Sequence, residues 1–169
     1  MQLHFKERAS MAIETERKFL VRNSEWQQQA EKSVFVRQGF LSTSPERTVR
    51  VRTTGEAAFL TIKGKPVETS RPEFEYPIPP EDAEELLWLC EGVIIEKTRH
   101  YVPHRGHVWE IDVFHGDNEG LIVAEIELTV SDEQFVRPCW IGKEISGDYR
   151  YQNSALASKP FRHWDSQSK

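Results

Sequence analysis

Cysteine is scarce in this chain, and no stretch stays apolar for long. Cys90 and Cys139 are the two cysteines. They stand far apart and form no C-x-x-C pair, which removes any cysteine-based metal signal and fits a reducing compartment. No run of about 18 apolar residues occurs, so no membrane helix is expected, and no signal peptide is read. A basic excess is also missing. The net charge of −5 argues against a general nucleic-acid binder, while leaving room for a local basic site. No G-x-x-x-x-G-K-[ST] loop is present, which excludes a P-loop NTPase. There is no long repeat and no low-complexity segment. What is left is a 169-residue chain, 38% hydrophobic and 29% charged, a size and balance for one globular domain. Cytoplasm is the expected location.

Residues 1–11 have no clear period and are set aside as a leader; residues 12–160 make up the expected domain and 161–169 a tail. Ile13 to Val21 ends in residues typical of a strand. Asn23 or Ser24 is placed to cap a short helix that runs to Gln27. Further strands are expected over 34–41, 48–52, 57–63, 71–76, 94–101, 107–114 and 121–128, separated by Gly, Pro, Asn and Asp signals. Pro72 argues for a strand edge or bulge at its position. Glu81 to Cys90 is the clearest helix, with acids in its first turn and Gly92 past its end. Short helices are expected near Ser131–Phe135 and Asn153–Ser158. About eight strands joined by short turns make a mainly β, α+β fold with antiparallel neighbours. Eight strands can close into a barrel and so remove the unpaired edges.

Strands turn successive side chains to opposite faces, so residues two apart share one. Acids spaced by two recur at Glu14/Glu16, Glu73/Glu75, Glu110/Asp112 and Glu125/Glu127. Bases spaced by two occur at Arg50/Arg52 and Lys97/Arg99, with Lys18, Arg37 and Lys63 as single basic positions. Two carboxylates at this spacing repel by roughly 2.4 kcal/mol at an effective dielectric of about 20. The face must be wet, or a cation must sit between the acids. Opposite these charges lie apolar residues: Trp109, Ile111 and Val113, then Ile122, Ala124, Ile126 and Leu128.

Alternation does not say which face is inside. In one architecture the apolar face is the core of a sheet packed on helices and the charged face meets water. In the other, the sheet closes into a wide barrel with a charged lumen, its outer face covered by helices and the tail. A charged lumen has a natural guest. Carboxylates hold Mg²⁺ or Mn²⁺ as hard oxygen ligands. Arg forks and Lys point charges hold phosphate oxygens. The combination suggests phosphoryl transfer on a polyphosphate. His100, His104 and His107 tempt a zinc reading, but Pro103 interrupts them and no cysteine accompanies them, so hairpin-loop histidines are the simpler account. Phe35, Phe40 and Phe59 on strands read as core before they read as base-stacking residues.

The ordered series Glu14-Thr15-Glu16-Arg17-Lys18, Arg37-Gln38-Gly39, Thr48 to Arg52, Thr61 to Gly64, Glu73-Phe74-Glu75, Ile95 to Arg99, Glu110 to Phe114 and Ala124 to Leu128 resembles the CYTH superfamily, the triphosphate tunnel metalloenzymes. It is closest in pattern to the short, single-domain bacterial members that hydrolyse inorganic triphosphate. The resemblance implies an eight-stranded antiparallel closed β-barrel, a tunnel with a charged lumen and a few flanking helices. It implies Mg²⁺ or Mn²⁺ on Glu14, Glu16, Glu125 and Glu127, with Asp112 in support. It implies phosphate binding by Lys18, Arg37, Arg50, Arg52, Lys63, Lys97, Arg99 and Arg150. Catalytic roles fall to Glu125 or Glu127, which would orient the attacking water, and to Lys97 near the reacting phosphate. A helix near Tyr151 is expected to help close one tunnel end. Short members often carry Tyr after the Arg-Gln-Gly triplet, where this chain has Phe40. The expected partner is a small-molecule triphosphate, with no membrane or specific nucleic acid, and a homodimer is left open. The alternatives are a class IV adenylate cyclase, a thiamine or nucleoside triphosphatase, and a non-catalytic polyphosphate-binding module.

Overall fold

The structure, a computed structural model, describes residues 12–65, 67 and 70–165. The expected leader lies outside the described residues. Among those described, nine strands and two α-helices follow in order: β1 (Ala12–Val21), β2 (Lys32–Ser42), β3 (Arg47–Thr54), β4 (Ala57–Gly64), β5 (Ser70–Ile78), α1 (Pro80–Trp88), β6 (Glu91–His104), β7 (His107–Phe114), β8 (Ile122–Glu127), β9 (Ile141–Glu144) and α2 (Asn153–Ser158). The fold is therefore mainly antiparallel β-sheet with two helices. The strand order is β5-β4-β3-β2-β6-β7-β8-β1-β9, with a further pairing between β1 and β5. β1 divides its length between partners: Ala12 to Thr15 face β5, and Glu16 to Leu20 face β8.

Local chemistry explains the turns. β6 and β7 are joined by Arg105 and Gly106, both with positive φ (49° and 87°), the two-residue hairpin geometry that suits the twist of the flanking strands. Pro72 sits in β5 beyond its last partner on β4, Glu73, and faces only β1. A strand can carry a residue without an N–H there. The strand count exceeds the expected eight because β9 has four residues and contains Gly142. A Cβ at that glycine would stand 2.9 Å from the Leu20 carbonyl oxygen, so only glycine lets β9 approach β1 this closely. The helix expected at Ser131–Phe135 is not there. Glu133 instead accepts from the backbone and hydroxyl of Thr129 and meets Nε2 of His107 at 2.8 Å, which holds the segment as a turn. The expected cap before Trp26 is a short 3-10 turn at Glu25–Gln29, where Asn23 accepts from the Glu25 N–H.

Both faces of the sheet are covered. On one, Phe19, Trp109, Ile111, Ala124 and Ile126 pack with Trp26, Trp140 and Ile141. Farther round, α1 buries Ala83 and Leu87 against Val51 and Ala58. Trp140 and its neighbours supply the covering that the helices alone would not. The opposite face is split. Phe40, Ile95, Phe114, Leu121 and Val123 form an apolar half, against which α2 and the following turn pack Tyr151, Leu156, Ala157 and Trp164. The other half carries the charges. Among the described residues no helix is long and apolar enough to cross a membrane.

Candidate active site

Direct cross-strand partners share a face, so register alone assembles the charged half. Lys18 lies opposite Glu125 and Glu16 opposite Glu127 across β1 and β8. Glu110 lies opposite Glu125, and Arg99 opposite Asp112. Arg50 faces Thr61, Thr61 faces Glu75, and Lys63 faces Glu73. These side chains line a cavity of about 210 Å³. Its cationic lining is Lys18, Arg50, Arg52, Lys63, Arg71 and Arg99; its carboxylates are Glu16, Glu73, Glu75, Glu110, Glu125 and Glu127. Phe40, Thr48, Gln152, Asn153 and Ser154 complete it, the last three from α2 and the residue before it.

Ion pairs join the two sets. Lys18 Nζ donates to Glu125 at 2.7 Å and lies 3.1 Å from Glu16. Arg52 Nη2 donates to Glu75 at 3.0 Å, and Lys63 Nζ stands 3.5 Å from Glu73. Arg99 is the hub. It donates through Nε and Nη2 to Asp112 at 2.7 and 2.8 Å, through Nη2 to Glu125 at 3.1 Å, and through Nη1 to Glu110. Lys97 donates to the same Asp112, with Lys97 2% and Asp112 0% exposed. Burial by itself pushes these carboxyls upward. For Glu125 the charges of Lys18, Arg99 and Lys97 outweigh burial and hold it well below the usual carboxylate range. Arg99 and Lys97 lower Asp112 in the same way, against its burial. Glu110 is raised, chiefly by burial. Lys97 is lowered to about 8 by burial and the neighbouring Arg99, which together outweigh Asp112.

Of the residues singled out in the sequence, Glu16, Lys18, Arg50, Arg52, Lys63, Arg99, Glu125 and Glu127 line the cavity. Lys97 and Asp112 stand behind Arg99, fully buried. Glu14 lies on β1 opposite Arg71, and its side chain is outside the described residues. Two arginines are elsewhere. Arg37 pairs with Glu84 of α1 at 2.9 Å and with Glu96 at 3.7 Å, and Arg150 pairs with Asp148 beside an outer cleft. Arg71 was not singled out, although it continues the alternation of Glu73 and Glu75 that the sequence displays. Gln152, Asn153 and Ser154 carry no local signal, because their place depends on how α2 docks.

Among the described residues no group of three His, Cys, Asp or Glu side chains stands ready to hold a metal ion. His100 lies edge-on to Trp26 and His107 bonds Glu133, so neither serves a zinc site. The donor chemistry nevertheless fits a hard cation. Like charges directly opposed on a sheet repel, and Glu16 faces Glu127 in that way. Glu16 has Lys18 and Arg71 nearby, whereas Glu127 has no hydrogen bond or ion pair among the described residues. A divalent ion between the two carboxylates would relieve that repulsion with oxygen ligands of the type it prefers.

The CYTH domain family matches residues 12–159. An inorganic triphosphatase of Acetivibrio thermocellus is 43% identical over 155 residues, spanning 91% of this chain and 99% of that protein. One of Nitrosomonas europaea is 37% identical over 149 residues, spanning 85% of this chain and 96% of its own. A solved structure of an inorganic triphosphatase superposes with a TM-score of 0.64 at 36% identity, covering 87% of this chain and 95% of that one.

Proposed function

This chain belongs to the CYTH domain family, and on that premise we propose that it is an enzyme that hydrolyses inorganic triphosphate to pyrophosphate and orthophosphate. The observation that carries the reading is the cavity itself, where six cationic side chains converge on a space bounded by as many carboxylates. Such a wall exchanges partners. A polyphosphate takes the cations and a divalent metal takes the carboxylates, so each guest leaves room for the other. Relatives named for this activity are alike along nearly their whole length, which supports the substrate.

Lys18, Arg50, Arg52, Lys63, Arg71 and Arg99 hold the phosphate oxygens in this reading. Glu16, Glu125 and Glu127, with Glu14 on the same strand, would hold Mg²⁺ or Mn²⁺. When bound, such an ion offsets phosphate charge and makes water a better nucleophile. Glu127 is the carboxylate best placed to orient that water, since Glu125 is committed to Lys18 and Arg99. Asp112 and Lys97 form the rear support of Arg99. Arg37 and Arg150 would reach phosphate only by leaving their ion pairs, so the reading rests on the six. The water oxygen bonds to the terminal phosphorus and the bridging P–O bond to pyrophosphate breaks. One proton of the water stays on orthophosphate and the other is released. The pairing of β1 with β5 joins the ends of the eight-strand run β5 to β1 and supports a closed tunnel around the cavity, with β9 outside the ring. Two free thiols far apart are in keeping with a cytoplasmic setting.

The test is phosphate release from inorganic triphosphate, ATP and thiamine triphosphate with Mg²⁺ and with Mn²⁺. Triphosphate is expected to be turned over in preference to the other two. No release from triphosphate with either metal would overturn the reading.

A further inference from the structure

Gln38 is a polar side chain with nothing to do in this structure. It is fully buried, yet among the described residues neither its Nε2 nor its Oε1 has a hydrogen-bond partner. An unsatisfied buried amide group destabilises the fold that holds it, and native folds carry few of them. Its register explains why no neighbour helps. On β6 it faces Ile95, which is apolar. On β3 it faces Arg52, whose Nε is likewise buried without a partner among the described residues while its Nη2 goes to Glu75. Lys97, two positions along β6 from Ile95, is committed to Asp112. Arg52 and Phe40, which flank Gln38 on this face, both line the cavity.

The unmet set is two donors, Gln38 Nε2 and Arg52 Nε, and one acceptor, Gln38 Oε1. A phosphoryl group approached by water needs that set: donors for two of its oxygens, and an acceptor for an O–H of the water. We propose that Gln38 and Arg52 form the subsite for the terminal phosphoryl group, in which Gln38 is a catalytic residue that also orients the attacking water. The inference rests on the triphosphatase reading and places the reacting end of its substrate. The carboxamide takes no proton. It fixes the water while the bond changes given above occur, and swinging of the Arg52 guanidinium off Glu75 opens the way to it. A contact tightened in the transition state lowers kcat more than it raises KM.

Gln38→Met removes both orphan groups and nearly keeps the volume. Expected is a kcat for triphosphate lower by about a hundredfold, the cost of one transition-state donor, with KM within about threefold of wild type. The melting temperature should hold or rise, because a buried pair of unmet groups is replaced by an apolar side chain. A kcat within about twofold of wild type overturns the proposal. So does a fall in melting temperature with kcat retained, since that marks a structural water bridging the carboxamide. If Gln38→Met does not fold, the wild type decides. Its Gln38 side-chain amide resonances are expected to shift when imidotriphosphate is added, and unchanged resonances at saturation overturn the proposal. A shift in a wild type that binds imidotriphosphate without turning triphosphate over would leave the subsite standing while the hydrolytic reading fell.

Discussion

Asp112 grips Arg99 side-on, its two oxygens accepting from Nε and Nη2 at 2.7 and 2.8 Å in a fully buried position. The fork fixes the guanidinium plane, and Lys97 closes the same carboxylate from the other side. Asp112→Asn removes the charge and leaves two cations facing each other. Breaking a buried pair of this kind costs about 3–5 kcal/mol, so chemical denaturation should show a loss of that size. Turnover should fall with it because Arg99 loses its orientation, and an unchanged denaturation midpoint would refute this role.

Glu127 makes the opposite prediction. It is exposed, unpaired among the described residues, and faces Glu16. Glu127→Gln should therefore change stability by less than about 0.5 kcal/mol. It should nonetheless weaken Mn²⁺ binding in calorimetry and lower metal-dependent phosphate release. Full activity in this variant would remove Glu127 from the metal and water roles.

Lys97 sets an alkaline limit. Burial and Arg99 bring its ammonium to about 8, below its ordinary 10.5. As pH rises past about 8 the charge behind Arg99 is lost and kcat/KM should decline; Lys97→Arg should move that limb to higher pH. Stability moves the other way. Between about 8 and 10.5 the unfolded chain binds the extra proton, so this residue's contribution improves with pH. Below that window both states are protonated and the penalty is complete. Denaturation of wild type and Lys97→Arg on either side of the window should show the difference shifting in favour of wild type at the higher pH.

Gly92 holds the seat of α2. Its φ is +71°, and a Cβ there would stand 2.2 Å from the Ala157 carbonyl oxygen. Gly92→Ala should cost at least about 1–3 kcal/mol through the strained backbone alone, with more from the clash. Hydrogen exchange over 153–158 should quicken along with the fall in melting temperature. An undisturbed α2 in this variant would show that the contact yields.

Phe40 follows the Arg37-Gln38-Gly39 triplet, where the family resemblance leads one to expect Tyr. It is 4% exposed and lines the cavity beside Arg50, its partner on β3. A carboxylate and a metal can orient water without a phenol, so Phe40→Tyr should leave triphosphate turnover within about threefold. A gain of tenfold or more, roughly the lower reach of general acid–base help, would show that the hydroxyl has a role here.

The charged wall was legible because strand alternation is a local property. Glu16 and Lys18, Arg50 and Arg52, and Glu125 and Glu127 each declare a shared face by their spacing, and the register confirms which of them meet. The turns were legible for the same reason, through Gly55 and Gly120. What the sequence did not display depends on distance along the chain. β9 is four residues long and exists because β1 offers it an edge. Gln152 to Ser154 reach the cavity only because Leu156 and Trp164 find an apolar bed. Arg37 alternates in register with the rest of its strand but belongs to the other face, where Glu84 of α1 meets it.

The apolar bed under α2 has one more effect. With Tyr151, Leu156 and Trp164 seated on it, Gln152, Asn153 and Ser154 are carried to the cavity, where they set a neutral, hydrogen-bonding stretch of wall among the charges.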